Sequence, residues 1–185
     1  MIADKDRAWW FGASDTSMIV GNWKTATFKK WWLEKLALRK NEINTKAMKC
    51  GNAYEGKILD AIGCEKDLQL LLPDLSLRVN LDGNTANMIY EVKTHKEDKE
   101  FKVSKNYWRQ SQVEMFAFKE VRKILPYLFI VAYPLGEQEY LNYFTEVDIE
   151  RAKFIPVAYD EKFILNDYLP KLTYLKVCME RGAMP

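Results

Sequence analysis

The stretch Leu77–His95, LRVNLDGNTANMIYEVKTH, constrains this chain more than any other. It reads as a strand to Asp82, a turn through Gly83 to Asn87, and a second strand from Met88 to about Thr94. Side chains alternate faces along a strand, so Glu91 and Lys93 share one face, roughly 6–7 Å apart, while Val92 points the other way into a core. Two carboxylates can hold a hard divalent cation through oxygen. An ammonium beside them can orient, or help deprotonate, a water that attacks a phosphodiester. Asp, Glu and Lys are common, however, and such a hairpin is ordinarily a solvated strand pair. A symmetrical hairpin about Thr85 would pair Asp82 with Met88 and leave Glu91 three residues, roughly 10 Å, farther along. One shared ion therefore requires a wider loop, a bulge or a bend.

A chain of 185 residues fits one domain, 1–185, with a substantial core. The aromatic share of 14% is high enough to serve stacking surfaces as well as that core. Net charge is only +2, so any nucleic-acid surface must come from local clustering. Cys50, Cys64 and Cys178 are an odd, widely spaced set. They suit neither a disulfide scaffold nor a zinc site, which points to a reducing cytoplasm. Met1 to Trp10 lacks the apolar core of a signal peptide, and the longest apolar run, Ile124 to Pro134, is about half a membrane span. The expectation is a soluble cytoplasmic protein with no membrane partner.

In chain order, Ser14 or Asp15 reads as the N-cap of a short helix Thr16 to Val20, closed by Gly21. A capped helix is the plain reading; the sharper one is a phosphate pocket made by a hydroxyl, amides and nearby Arg7. Residues 25–40 form a basic amphipathic helix with Phe28, Trp31, Trp32, Leu36 and the stem of Lys35 on its stripe, and its remaining Lys and Arg form a solvated face open to a DNA-contacting role. A polar connection follows over 41–45. Residues 46–62 form a second helix with Tyr54, Ile58 and Ile62 inward; Glu55 sits beside that stripe, where a glutamate is ordinarily solvated, and Gly51 hints at a close approach. Cys64 through Asp74 is strand-like. His95, without a partner, reads as a surface residue rather than a general base, and Lys96, Lys99, Lys102 and Lys105 could meet backbone phosphates. Ser104 caps a third helix, Lys105 to Val121, in which Gln110 and Gln112 fall on different sides; an inward amide would need a partner such as water or a carboxylate. ILPYLFIVAYP reads as a buried strand, Tyr140 to Val147 as another beside it, and Tyr159 to Arg181 as a helix interrupted near Pro170. This order suits an α/β fold with a central mixed β-sheet flanked by helices.

Taken together, the ordered motifs resemble the lambda-type exonucleases, including the YqaJ-like viral recombinases, of the PD-(D/E)xK superfamily with its restriction-endonuclease-like core. The resemblance runs from residue 7 to about 181. It rests on Arg7 with Phe-Gly-Ala-Ser14-Asp, Cys50-Gly51-Asn52-Ala53-Tyr54-Glu55, Asp82-Gly83, Glu91-Val92-Lys93 and Tyr107-Trp108-Arg109-Gln110-Ser111-Gln112. It implies that Asp82, Glu91 and the Val92 carbonyl ligate Mg²⁺, with Mn²⁺ able to substitute, and that Glu55 completes the site directly or through water. Lys93 would position and help activate the attacking water, and Gln110, in preference to Gln112, would hold Lys93 or the water. Arg7 and Ser14 would bind a terminal 5′-phosphate. Asn80 stands where the archetype has serine, and Lys99 where it has arginine, which removes a bidentate clamp.

The implied activity is digestion of linear double-stranded DNA from 5′ to 3′, exposing a single strand for an annealing protein in phage-type recombination. The archetype is a toroidal homotrimer. Alternatives are a structure-specific or restriction-like endonuclease on the same core, or a DNA-binding module without catalysis.

Overall fold

A computed structural model describes residues 7–40, 45–143 and 146–185 of the protein. Five strands form one mixed sheet in sequence order: β1 (Glu65–Leu72), β2 (Leu77–Asn84), β3 (Met88–Lys96), β4 (Tyr127–Leu135) and β5 (Lys153–Val157). All neighbours are antiparallel except β3 and β4. That parallel pair requires a crossover, supplied by α4 (Lys105–Arg122), whose Tyr107 N–H is capped by the Ser104 hydroxyl at 3.2 Å.

Helices cover both faces. On one, α4 packs with α1 (Thr16–Ile19), α2 (Ala26–Lys35) and α6 (Leu169–Glu180) over Leu70, Val79, Leu81, Ile89 and Ile130. Residues Ser111–Phe118 of α4 are buried without interruption, so this helix is enclosed on every side. On the other face, α3 (Lys46–Ile62) lays Cys50, Tyr54 and Ile58 against Val92, Val131 and Tyr133. Spacing of four residues along a helix makes that stripe, and each fully buried side chain of this size contributes roughly 1.5–3 kcal/mol.

Several local expectations change. Asp15 occupies the N-cap position of α1 as expected, but its side chain makes no capping bond to the helix; its carboxylate instead accepts from Gly12 N–H at 2.8 Å, at the start of the preceding turn. Helix α2 stops at Lys35, and Ala37 takes the left-handed conformation at φ 57°, five residues before the helical pattern was expected to end. Of the polar connection at 41–45, only Thr45 lies within the described residues, where it caps α3. The strand expected over Tyr140 to Val147 is not formed among the described residues. Instead α5 (Glu137–Leu141) begins at Gly136, whose N–H donates to Glu139 Oε2, and Arg151 pairs with Glu139 at 2.6 Å. The fifth strand is Lys153–Val157, hidden in the sequence by Pro156, which a sheet edge tolerates. Near Pro170, which has no N–H to give, a π-helical turn at Phe163–Tyr168 runs directly into α6.

The hairpin is centred differently from the symmetrical arrangement about Thr85. Asn84 pairs with Ile89 and Gly83 with Tyr90, and the β2–β3 ladder ends there. Extending the same register sets Asp82 opposite Glu91. Beyond that point the strands part, and Phe11 bridges β2 at Leu77, giving its carbonyl to Arg78 N–H and its N–H to Ser76 O, both at 2.8 Å. The β1–β2 ribbon also turns at Asp82. Leu77, Val79 and Leu81 enter the larger core, whereas a Cβ on Gly83 would strike Leu59 of the opposite face. Asp67, at the position across from Asp82, has φ 60°. The fork between β2 and β3 is where the site lies.

Candidate active site

A cleft of about 300 Å³ opens at this fork and brings together residues from the whole first two-thirds of the chain. Its inner wall carries Asp82, Glu91, Lys93, Gln110 and Glu55; its outer wall carries Arg7, Ser14, Arg78 and Asn80. Each element places its residue for a local reason. Glu91 and Lys93 share the face of Ile89, toward α4. Gln110 is one and a half turns into α4. Glu55 follows Tyr54 on α3, one position round from the buried stripe. Gly51, one turn earlier, lets α3 approach β3, where a Cβ would stand 3.3 Å from the Thr94 hydroxyl.

The inner wall is a network of charges with too little positive charge. Glu91 is buried, and its Oε1 accepts from Lys93 Nζ at 2.5 Å and Gln110 Nε2 at 2.6 Å. Asp82 Oδ2 accepts from Val92 N–H at 2.9 Å, taking the place of a ladder carbonyl where the strands part. Burial pushes the Asp82 carboxyl well above its usual range, and the charges of Glu91 and Glu55 push it further. Glu55 is raised by burial and then by Glu91. For Lys93 burial acts downward, but Glu91 and Asp82 outweigh it and hold the ammonium firmly protonated. Its charge also lies 5.0 Å from the centre of the Tyr107 ring.

Could this donor set take a metal? Among the described residues no three His, Cys, Asp or Glu side chains converge tightly enough to enclose an ion as they stand. The chemistry nevertheless fits a hard cation. The donors are oxygens, their carboxyls resist ionising together, and Glu91 Oε2 is buried with no hydrogen-bond partner. Asp82, Glu91, Glu55 and the Val92 carbonyl are the groups that would hold it.

The outer wall has features that sequence reasoning missed. Arg78 is buried on β2 with its guanidinium 5.8 Å from the Trp10 ring centre. It could have been found by stepping back in twos from Asp82 through Asn80, since all three line the cleft. Behind the wall lies a buried ion pair, Lys35–Asp15, at 2.5 Å. Lys35 also donates to Trp10 O at 2.7 Å and Arg7 O at 3.2 Å, and Trp31 Nε1 donates to Asp15 at 2.9 Å. Burial lowers the Lys35 pKa although Asp15 acts against it. These bonds fix the main chain that carries Arg7 and Ser14, both of which are exposed.

One expected residue, Lys99, lies elsewhere, and Gln112, the alternative to Gln110, does too. Lys99 sits in an exposed turn after β3 and does not line the cleft, so it is not joined to the phosphate-binding set. Gln112 is buried on the far side of α4, where its amide bonds Ala158 O at 2.9 Å and Asp160 N at 2.6 Å. The His95 ring lies 2.9 Å from Lys96 O through Nδ1 and 5.4 Å from the Phe101 ring centre, and it does not line the cleft. Asn80 does line the cleft and accepts from Gln69 at 3.0 Å.

No protein-family model matches the chain, and no curated protein matches it by sequence. Solved structures do. An alkaline exonuclease from Laribacter hongkongensis superposes with a TM-score of 0.65 at 15% identity, over 95% of this chain and 90% of that one. A protein from Eubacterium rectale, provisionally described as an exonuclease, gives 0.61 at 10% identity over 100% and 88%. The chain therefore has the α/β fold of these exonuclease structures, a mixed five-stranded sheet flanked by helices.

Proposed function

We propose that this protein is a metal-dependent deoxyribonuclease that digests linear duplex DNA from its 5′ ends. The observation that carries the reading is the fork itself: Asp82 facing Glu91, with Lys93 and Gln110 bonded to the same Glu91 oxygen, in one cleft with Arg7, Ser14 and Arg78. The two exonuclease structures of the same fold support it. Asp82, Glu91, Glu55 and the Val92 carbonyl would hold Mg²⁺, or Mn²⁺ in its place, which would supply charge neutralisation and a more acidic water. The chain's own groups do the rest. Lys93 orients the attacking water and offsets the developing negative charge at the phosphate. Gln110 holds Glu91 in place. Arg7, Ser14, Asn80 and Arg78 receive the terminal 5′-phosphate, the arginines through paired N–H donors. The exposed strand passes to a single-strand annealing protein in phage-type recombination, and a homotrimer belongs to the same proposal.

The test is polarity and end dependence. Duplexes labelled at either end, with 5′-phosphate or 5′-hydroxyl, are compared with covalently closed circles in Mg²⁺. Release of the 5′ label first, with faster digestion of phosphorylated ends and intact circles, supports the proposal. Cut circles assign an endonuclease instead, and binding without cleavage assigns a non-catalytic module.

A further inference from the structure

Glu114 belongs to no motif considered so far, yet it lies directly beneath the cleft. It is one helical turn beyond Gln110 on α4, with no exposed surface. Gln110 Nε2 donates to Glu114 Oε1 at 2.8 Å and to Glu91 Oε1 at 2.6 Å. A carboxamide nitrogen carries two hydrogens, and here both are committed to carboxyl oxygens. The other Glu114 oxygen is buried with no hydrogen-bond partner among the described residues. A buried oxygen in that state is costly, and an apolar side chain of similar shape would fill the space without the cost.

We infer that Glu114 is a positioning residue: it pins the Gln110 carboxamide so that its nitrogen holds Glu91 and its oxygen is left to face the cleft. The inference rests on the nuclease reading for its catalytic consequence, though not for the hydrogen bond itself. A flipped carboxamide would set its oxygen against Glu114 Oε1 at 2.8 Å, lone pair to lone pair. Glu91 Oε1, 2.6 Å away, opposes the flip as well; without Glu114 it is the one carboxyl oxygen left to do so, while the Lys93 ammonium on that same oxygen draws the Gln110 oxygen toward itself. A Gln110 turned toward Lys93 would give up its hold on Glu91, and its oxygen would no longer serve a water in the cleft. As a carboxylate, or as an acid with its proton on Oε2, Glu114 presents an acceptor at Oε1, and the pinning holds in both of those forms. Being fully enclosed, Glu114 cannot touch a substrate and acts only through Gln110.

The experiment compares Glu114→Leu, Glu114→Gln, Gln110→Ala and the double variant Gln110→Ala/Glu114→Leu, with Glu114→Met replacing Leu should that variant not fold. For Glu114→Leu the inference expects a melting temperature at or above that of the native protein. It expects kcat to fall roughly tenfold, the worth of one hydrogen bond of this kind, with KM for DNA unchanged. Glu114→Gln retains the acceptor and restores the native rate. In the Gln110→Ala background, Glu114→Leu slows cleavage no further. A second readout needs no activity: in side-chain amide NMR spectra, one Gln110 Nε2 proton loses its slow exchange in Glu114→Leu and keeps it in Glu114→Gln. Unchanged Gln110 amide signals in Glu114→Leu overturn the inference, as does additive slowing in the double variant or a native kcat in Glu114→Leu. If the native protein fails to cleave linear duplex, the nuclease reading falls, and the amide spectra still decide whether Glu114 pins Gln110.

Discussion

Gly83 ties the fold to the site, and replacing it tests that link without assuming any activity. A Cβ at this position would lie 2.4 Å from Leu59 Cδ2 and 2.7 Å from Cys64 Sγ, where ordinary contacts between such atoms are about 3.5–4.0 Å. The neighbours must therefore give by about 1 Å, and Leu59 is itself only 1% exposed within the core beneath α3. The φ of Gly83 is not in the left-handed region, so the cost is steric. Overpacking of this kind costs about 1–3 kcal/mol, a fall in Tm of about 2–10 °C for a chain of this size. Leu59→Ala alone should cost about 2–5 kcal/mol by leaving a cavity. In Gly83→Ala/Leu59→Ala the new methyl enters that cavity, so the double variant should be more stable than additivity predicts by at least about 1 kcal/mol. Urea and thermal unfolding followed by circular dichroism measure all three. A Gly83→Ala protein as stable as the native one, together with strict additivity in the double variant, refutes the close packing of α3 on the fork.

Three further outcomes are expected. Lys35→Met leaves the Asp15 carboxylate buried without its cation and should destabilise by about 3–5 kcal/mol in chemical unfolding; a change below about 1 kcal/mol would contradict the anchoring of the Arg7 and Ser14 main chain by this pair. Glu114 has a folded pKa raised well above the unfolded one, by burial first and then by Glu91 and Asp82. Its contribution is thus full below about pH 4.5 and lost as pH rises through the folded value, so Glu114→Leu should be stabilised relative to the native protein progressively toward alkaline pH, and a parallel pair of stability–pH curves would count against it. Arg78→Lys exchanges a planar fork for a point charge and should lower the preference for 5′-phosphorylated over 5′-hydroxyl ends about tenfold; an unaltered ratio in end-labelled digestion assays would remove Arg78 from the phosphate wall.

Much of the site was legible because strand alternation and helical spacing are local properties. The shared face of Glu91 and Lys93 follows from such patterns, as does the Glu55 position at the edge of a stripe; Gln110 was singled out from Gln112 by the resemblance and not by spacing. What was not legible depends on partners distant in sequence. The symmetrical hairpin failed because the turn is placed by Thr85 N–H bonding Met88 O at 2.9 Å, three residues out of the symmetric register. Asp15 was legible as the N-cap position of α1 but not as an ion-pair partner, because nothing local announces Lys35, twenty residues away and buried against it. β5 was obscured by Pro156, whose tolerance depends on being at an edge, and Tyr140 and Leu141, expected at the start of a strand, end α5 instead, a helix held at its start by Arg151, twelve residues beyond Glu139. Glu114 was passed over because a glutamate on a helix is ordinarily solvated, whereas here the helix has no solvated side at that level.

The most direct measurement is Mg²⁺-dependent degradation of linear duplex by the native protein, Glu91→Ala and Lys93→Met, with DNA binding measured alongside. The account predicts that the native protein degrades the duplex and that EDTA stops it. Both variants should bind DNA while losing at least about 100-fold in rate, the scale expected for a positioned group acting on the reacting water. Native-rate degradation by either variant, or activity indifferent to EDTA, would contradict it.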